Sequence, residues 1–475
     1  MTFGFPNVPE IFDSVIMPKT AAEAAEEGKA ARKKVPRSSH SQIPGKRANV
    51  VELLRSQEKS RVAELLPIRY ERMGVSPFTF YRGNALGMAA DLSNTPTSGL
   101  NAQICGDAHI ANFGGFASPG RRLVFDINDF DETSIGPWEW DVKRLVTSVE
   151  ICGRDRGFSP EERRKACVAA ACKYREAMQD FAQRSTLDVW YAHLDVQDML
   201  EGIADRVSKS RGKTILKNVE KGAHRTSERA VEKLTTVVDG KLRIVSEPPL
   251  IVPLRELLPE ANAHQVEILI WALLKSYKHS LIDDRKHLID QYSYVDAARK
   301  VVGVGSVGTR AWVLVLAGRD EQDPLVLQMK EAQPSVLERF TRPTLFGNNG
   351  QRVVEGQRLM QASSDILLGW VRGPAVDGKL HDFYIRQLWD WKTSPDLDAV
   401  SAGDLEALAS MCAWTLARAH ARSGNRFAIA GYLGNSDGFD KALADFAAGY
   451  ADCNEEDYRR FRESLDENNN LRVGE

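Results

Sequence analysis

Gly106-Asp107-Ala108-His109-Ile110-Ala111-Asn112, followed by Val124-Phe125-Asp126, is the first of two stretches that decide how this chain reads. The second, almost two hundred residues on, is Gly303-Val304-Gly305-Ser306-Val307-Gly308, running into a strand that ends at Lys330. Phosphoryl transfer asks little covalent chemistry of a protein: it needs a carboxylate to orient a hydroxyl, oxygen ligands for a metal ion, and cations on the phosphates. Asp107 and Asn112 stand five apart, the D-x-x-x-x-N spacing in which the acid is a base and the amide a Mg2+ ligand. Asp126 closes a short apolar strand and is expected to turn its carboxylate to the same metal, with Asp129 and Asp131 crowding the next turn. Asn112, Asp126 and Asp129 are the expected metal ligands, with Asp107, Asn112 and Asp126 the catalytic set. Asp and Asn are also common turn formers, and a lone loop of this kind would read as an acidic surface turn. Its coupling to an apolar strand tips the reading toward a site.

The spacing Gly303-x-Gly305-x-x-Gly308 is weak alone, because dinucleotide-binding folds share it. There the third glycine opens a helix, whereas Arg310 to Leu316 is strand-like and leads through the polar turn Gly318 to Asp323 into a second strand, Pro324 to Met329. A hairpin covering phosphates fits better, with Gly303, Gly305, Ser306 and Gly308 against a nucleotide; a purely structural glycine hairpin is the plain alternative. Lys330 ends an apolar strand, where a charge needs a partner or a ligand. It is read as the cation that meets the phosphates.

With 475 residues, 43% hydrophobic and 27% charged, the chain can bury a large core, and a net charge of −2 gives no global pull toward nucleic acid or an anionic membrane. Six irregularly spaced cysteines point to a reduced, cytoplasmic setting and to no structural zinc site. No stretch approaches the roughly 20 apolar residues that span a bilayer, and no secretory signal is read at the N-terminus. Residues 1–48 read as a mobile basic arm, since Lys19 to Arg47 holds eight Lys or Arg against three Glu and almost no large apolar residue. No aromatic interleaving supports nucleic-acid contact by it.

Beyond the arm, residues 49–190 carry the catalytic and metal-binding loops. Arg69 to Gly83 is expected to be a packed irregular segment, and Gln103 to Cys105 and Leu123 to Phe125 to bound a hairpin-like platform. Two antiparallel helices follow, the second capped by Ser159. Residues 191–295 read as a mainly helical insertion and connector, ending in an apolar helix near Val266 to Tyr277. Residues 296–395 hold the glycine hairpin, a helix from Gln351 to Ser363 and strands Ile366 to Val371 and Phe383 to Leu388, giving a five-stranded antiparallel sheet with one helix. Residues 396–475 return to helix, with one from Ser401 stopped by Gly424 and another near Phe439 to Phe461. Asp141, at a helix start, is read as a cap that also braces the Asp107 loop. His109 and His420 are read as packed residues. Arg82 is either a structural arginine or an anion ligand.

These motifs, with Leu416-Ala417-Arg418-Ala419-His420, resemble the aminoglycoside phosphotransferase and protein-kinase-like superfamily. The resemblance implies an α+β, two-lobed kinase-like fold in permuted order, its small lobe following the metal-binding segment. It implies ATP and Mg2+ as cofactors, a hydroxyl-bearing acceptor as partner, and a carboxylate for Lys330 on the following helix, for which Glu355 is the choice. A non-catalytic nucleotide-binding protein and a nucleotidyl (AMP) transferase using the same pocket are the alternatives. The usual His or Arg before the catalytic aspartate is replaced here by Cys105-Gly106. From about Arg69 to Asp457 the chain is also similar to a bacterial family, domain of unknown function 2252, through runs such as SPFTFYRG, NDFDETSIGPWEWD and ARAHARSGN.

Overall fold

The computed structural model describes residues 19–196, 227–238, 241–259, 263–301, 303–320, 322–388 and 391–473, so much of the segment 191–262 lies outside the described residues. Helix α1 (Ala21–Lys34) starts on a capping box in which Thr20 accepts from the Glu23 amide and Glu23 accepts from the Thr20 amide. Its cations face water, while Ala24 and Gly28 are buried. A Cβ at Gly28 would stand 1.9 Å from the Ala428 carbonyl oxygen, so only glycine permits this approach. His40 is fully buried, its Nε2 2.6 Å from the Tyr432 hydroxyl. The basic stretch from residue 19 is therefore docked, because small residues on one helix face let it pack without large apolar groups.

Arg69 to Gly83 is helical, spanning most of α2 (Leu66–Met73) and all of α3 (Pro77–Gly83). Ser76 and Thr79 form a reciprocal capping box with Pro77 in the first turn, so the punctuation that suggested an irregular segment marks a helix start. Strand β1 (Asn101–Ile104) and strand β2 (Phe113–Ala117) flank the Asp107 loop. β2 forms a hairpin with β3 (Leu123–Ile127), and β1 pairs instead with β4 (Ser134–Pro137). The expected platform is thus split between two small sheets.

Helices α4 (Trp138–Asp155) and α5 (Pro160–Gln183) follow, and α4 is buried along almost its whole length. Helix α6 (Ser227–Leu234) leads to a small hairpin, Thr235–Val238 with Lys241–Ile244. Beyond β5 (Ile251–Pro253) and helix α7 (Ala263–Lys278) come β6 (Ser293–Lys300), β7 (Ala311–Ala317) and β8 (Pro324–Glu331), then helix α8 (Asn349–Met360), β9 (Gly369–Pro374) and β10 (Leu380–Gln387). These strands make one antiparallel sheet in the order β9-β10-β8-β7-β6-β5, six-stranded because β5 adds to the expected five at the β6 edge. Strand alternation sends Trp312, Leu314 and Leu316 to one face, where Ile270, Leu273 and Tyr277 of α7 cover them. Val313, Val315 and Val326 go to the other, against Ala230 and Leu234 of α6.

Gln328 and Lys330 share the Val326 face of β8, and Lys330 lies at the strand end nearest the Asp107 loop. The main core joins α4 and α5 to α9 (Ala402–Ser423), α10 (Arg426–Leu433) and α11 (Gly438–Val473), with Leu145, Val149, Ala170, Met178, Leu416 and Phe446 at its centre. The chain is thus α+β with antiparallel sheets, and no helix among the described residues is long and apolar enough to cross a membrane.

The docking of α1 predicts that Gly28→Val, which sets a branched side chain against backbone, costs about 1–3 kcal/mol. Limited proteolysis should cut between residues 19 and 48 faster in this variant than in the wild type. Equal cleavage rates would contradict the docked arrangement.

Candidate functional site

Backbone geometry fixes the Asp107 loop. Gly106 has φ +80°, and a Cβ there would stand 2.3 Å from the Glu132 carbonyl oxygen, so no other residue fits without a shift. The Asp141 carboxylate, in the first turn of α4, accepts from the amides of Cys105 (2.7 Å) and Gly106 (2.9 Å). Behind it, His420 places Nε2 3.3 Å from Asp141 and Nδ1 2.8 Å from the Tyr174 hydroxyl. Asp141 thereby braces the loop from the buried side. Asn112 donates through Nδ2 to the Asp107 carbonyl (2.8 Å), and its Oδ1 has no hydrogen bond among the described residues.

Arg144 of α4 grips one oxygen of Asp107, with Nε at 2.9 Å and a terminal nitrogen at 2.8 Å from Oδ1. Oδ2 has no hydrogen bond among the described residues, and His109 Nε2 lies 3.7 Å from it. Burial raises the Asp107 pKa above the ordinary carboxylate value and Arg144 opposes the rise. Burial, with Arg82 and Arg144 close by, pushes His109 far down and keeps it neutral. One carboxylate oxygen of a raised acid is thus left to receive a hydrogen bond.

The acids after β3 divide the work. Asp126 is buried and its carboxylate is ion-paired with Arg418 of α9, whose guanidinium also donates to the Met360 carbonyl. The Ile127 amide donates to the same carboxylate at 2.8 Å. This points Asp126 into the core. Asp129 lies two residues past β3, and among the described residues no cation is nearer to it than Lys330 at 4.0 Å. Asp131 takes the Lys330 ammonium directly, accepts from the Tyr384 hydroxyl at 2.8 Å, and lies 3.3 Å from the Ser306 hydroxyl. Burial alone would lower Lys330, but Asp129 and Asp131 carry it above the ordinary lysine value. For Asp131 the burial penalty is outweighed by Lys330 and Tyr384, which hold it low. Lys330 is therefore a fixed cation. Glu355 pairs within its own helix with Arg358 at 3.3 Å, so the carboxylate chosen for Lys330 by helix position is replaced by Asp131 and Asp129.

The glycine segment between β6 and β7 turns on Gly303 (φ +66°) and Gly308 (φ +90°). Its carbonyls are held by the N-terminal helices: Arg72 donates to Gly303 (2.6 Å), Arg69 to Gly305 (2.6 Å), and Arg61 to Gly305 and Val307 (3.1 and 2.5 Å). Gly303, Gly305 and Ser306 meet Asp107, Asn112 and Asp129 around one cavity of about 160 Å3. Lys330 reaches its wall through Asp131, and Gly308 packs beside Arg61. Asp126 and Glu355 are not among the lining residues.

A profile described as "uncharacterized protein conserved in bacteria (DUF2252)" matches residues 61–464. The chain belongs to the DUF2252 family. No curated protein and no solved structure matches it. The DUF2252 match takes in every residue that lines the cavity except Gln57, while α1 lies outside it.

Sequence reading missed two things in this DUF2252 site. Arg69 and Arg72, which hold the glycine loop, lie in the segment Arg69 to Gly83 that reads as irregular, and Arg61 lies before it. The partner of Asp126 had a signal, since Arg418 sits in the apolar stretch Leu416 to Ala421 and a cation there needs a buried carboxylate. Arg418→Met would strand Asp126 uncompensated and should cost about 3–5 kcal/mol in urea unfolding. Asp126→Asn with Arg418→Met should recover much of that loss. A cost below about 1 kcal/mol for the single variant would contradict a structural role for the pair.

Proposed function

We propose that this protein is an ATP- and Mg2+-dependent phosphotransferase acting on a hydroxyl group, built on a protein-kinase-like fold whose lobe order is permuted. The observation that carries this reading is the meeting of Asp107, Asn112 and Asp129 with the Gly303–Ser306 loop around one cavity, with Lys330 held behind the wall by Asp131. Such a convergence of an unpaired acid oxygen, an amide oxygen, a second carboxylate and a charged lysine is what a magnesium triphosphate requires. The six-stranded sheet supports it: β6, β7, β8, β9 and β10 with α8 between the third and fourth give the strand-and-helix inventory of a kinase small lobe.

The donor set fits a hard cation. Asn112 Oδ1 and the Asp129 carboxylate are oxygen ligands of the type Mg2+ takes, and the ion would supply charge neutralisation on the phosphates. Asp129 takes this role in place of Asp126, whose carboxylate is spent on Arg418. Lys330 would pair with the phosphates, sharing its charge with Asp131. Asp107 orients the acceptor hydroxyl through Oδ2 and takes its proton as the acceptor oxygen bonds to the γ-phosphorus and ADP leaves. A cavity of about 160 Å3 is of a size to take phosphate groups, with the rest of a nucleotide lying outside it.

Single-turnover incubation with Mg2+ and ATP labelled at the γ or the α phosphorus, in the presence of cell extract, tests the proposal. Label should leave only from the γ position. Asp107→Ala should lower transfer by about 100-fold or more, and Asp129→Asn should raise the Mg2+ concentration that transfer requires. Equal transfer by Asp107→Ala would contradict its role. Transfer of the α label would replace the reading with nucleotidyl transfer, and nucleotide binding with no turnover would favour a non-catalytic protein.

A further inference from the structure

Three arginines in the cavity lack acid partners. Arg61, Arg69 and Arg82 all line it, and none forms an ion pair with a carboxylate among the described residues. Arg61 and Arg69 donate to backbone carbonyls and to the Gln57 amide oxygen, which occupy their donors without neutralising them. Arg82, at the last turn of α3, makes no hydrogen bond among the described residues, and its Nε is buried and unpaired. Burial lowers the pKa of all three, Arg69 to about 9. Of the acids around them, Asp107 is paired with Arg144, Asp131 with Lys330 and Glu331 with Arg310, while Glu132 accepts from the Val336 amide and Asp129 stands 4.0 Å from Lys330. Acids act on these cations only from a distance, a direct ion pair is missing, and guanidinium is shaped to take a carboxylate or a phosphate through paired hydrogen bonds.

We propose that Arg82, backed by Arg61 and Arg69, is an oxyanion site for the acceptor, so that the substrate class is a small hydroxyl compound carrying a phosphate or carboxylate group. Only the naming of this ligand as the acceptor rests on the phosphotransferase reading. Arg82 lies close enough to Asp107 to stabilise its charge, so an anionic group held by the arginine keeps the rest of a short molecule beside Asp107. A neutral side chain of a protein substrate would leave Arg82 unpaired.

Isothermal titration of the full-length protein with inorganic phosphate and with acetate tests the site, followed by glycerol 3-phosphate, glycerate and glycerol to tell phosphate from carboxylate recognition. At least one of the first two probes should bind saturably, and glycerol should not. Arg82→Gln should weaken oxyanion binding by about tenfold or more, as loss of charged hydrogen bonds does. Arg82→Lys, which keeps the charge without the fork, should fall between, and carries the test should Arg82→Gln fail to fold. No binding of either oxyanion, or wild-type affinity in a folded Arg82→Gln, would overturn the proposal. Arg82-dependent oxyanion binding in a protein that does not bind Mg-ATP would leave the site standing and sink the nucleotide reading. Mg-ATP binding with no oxyanion binding would do the reverse.

Discussion

The ion pair between Lys330 and Asp131 is the constraint on which the arrangement depends. It ties the end of β8 to the turn after β3, two segments far apart in the chain, and Tyr384 of the neighbouring strand β10 adds a hydrogen bond to the same carboxylate. A buried ion pair stabilises little in itself, because desolvation offsets most of the attraction. Its value here is positional. Arg352 of α8, fully buried, donates to the carbonyls of Asp131, Thr133 and Gln333, so the turn and the segment after β8 are stitched by backbone as well as by charge. With that junction closed, the glycine loop and the Asp107 loop face one another.

Each catalytic candidate is braced from behind by a group that never reaches the cavity. Asp141 holds the amides of Cys105 and Gly106, His420 and Tyr174 hold Asp141, and Arg144 takes one oxygen of Asp107. Asp126 and Arg418 anchor the end of β3 to α9, which fixes where Asp129 emerges. Rigid support of this kind keeps reacting groups within the narrow tolerance that positioning catalysis needs. Arg82 follows the opposite rule: its guanidinium lines the cavity without a hydrogen bond among the described residues.

Elements set by local chemistry were legible in the sequence. The glycine-punctuated strand pair and the Ser159 cap each obey short-range rules, and each appears where expected. The position of Lys330 was legible because a charge ending an apolar strand needs company, but which acid supplies it was not. Glu355 is eligible by helix position and Asp131 by proximity across two hundred residues, and only the packing of α8 on the sheet decides. Asp126 was misdirected for the same reason: a carboxylate closing a strand turns toward a metal or toward the core according to what lies opposite, and Arg418 lies opposite. The docked α1 escaped notice because alanine and glycine surfaces carry almost no hydrophobic signal.

The most direct measurement is a crystal structure of the protein with Mg2+ and a non-hydrolysable ATP analogue. The account predicts a magnesium ion held by Asn112 Oδ1 and Asp129 at about 2.1 Å, with the Lys330 ammonium on a phosphate oxygen and Asp126 still paired to Arg418. A nucleotide bound elsewhere, or a metal taken by Asp126 with Asp129 unengaged, would contradict it.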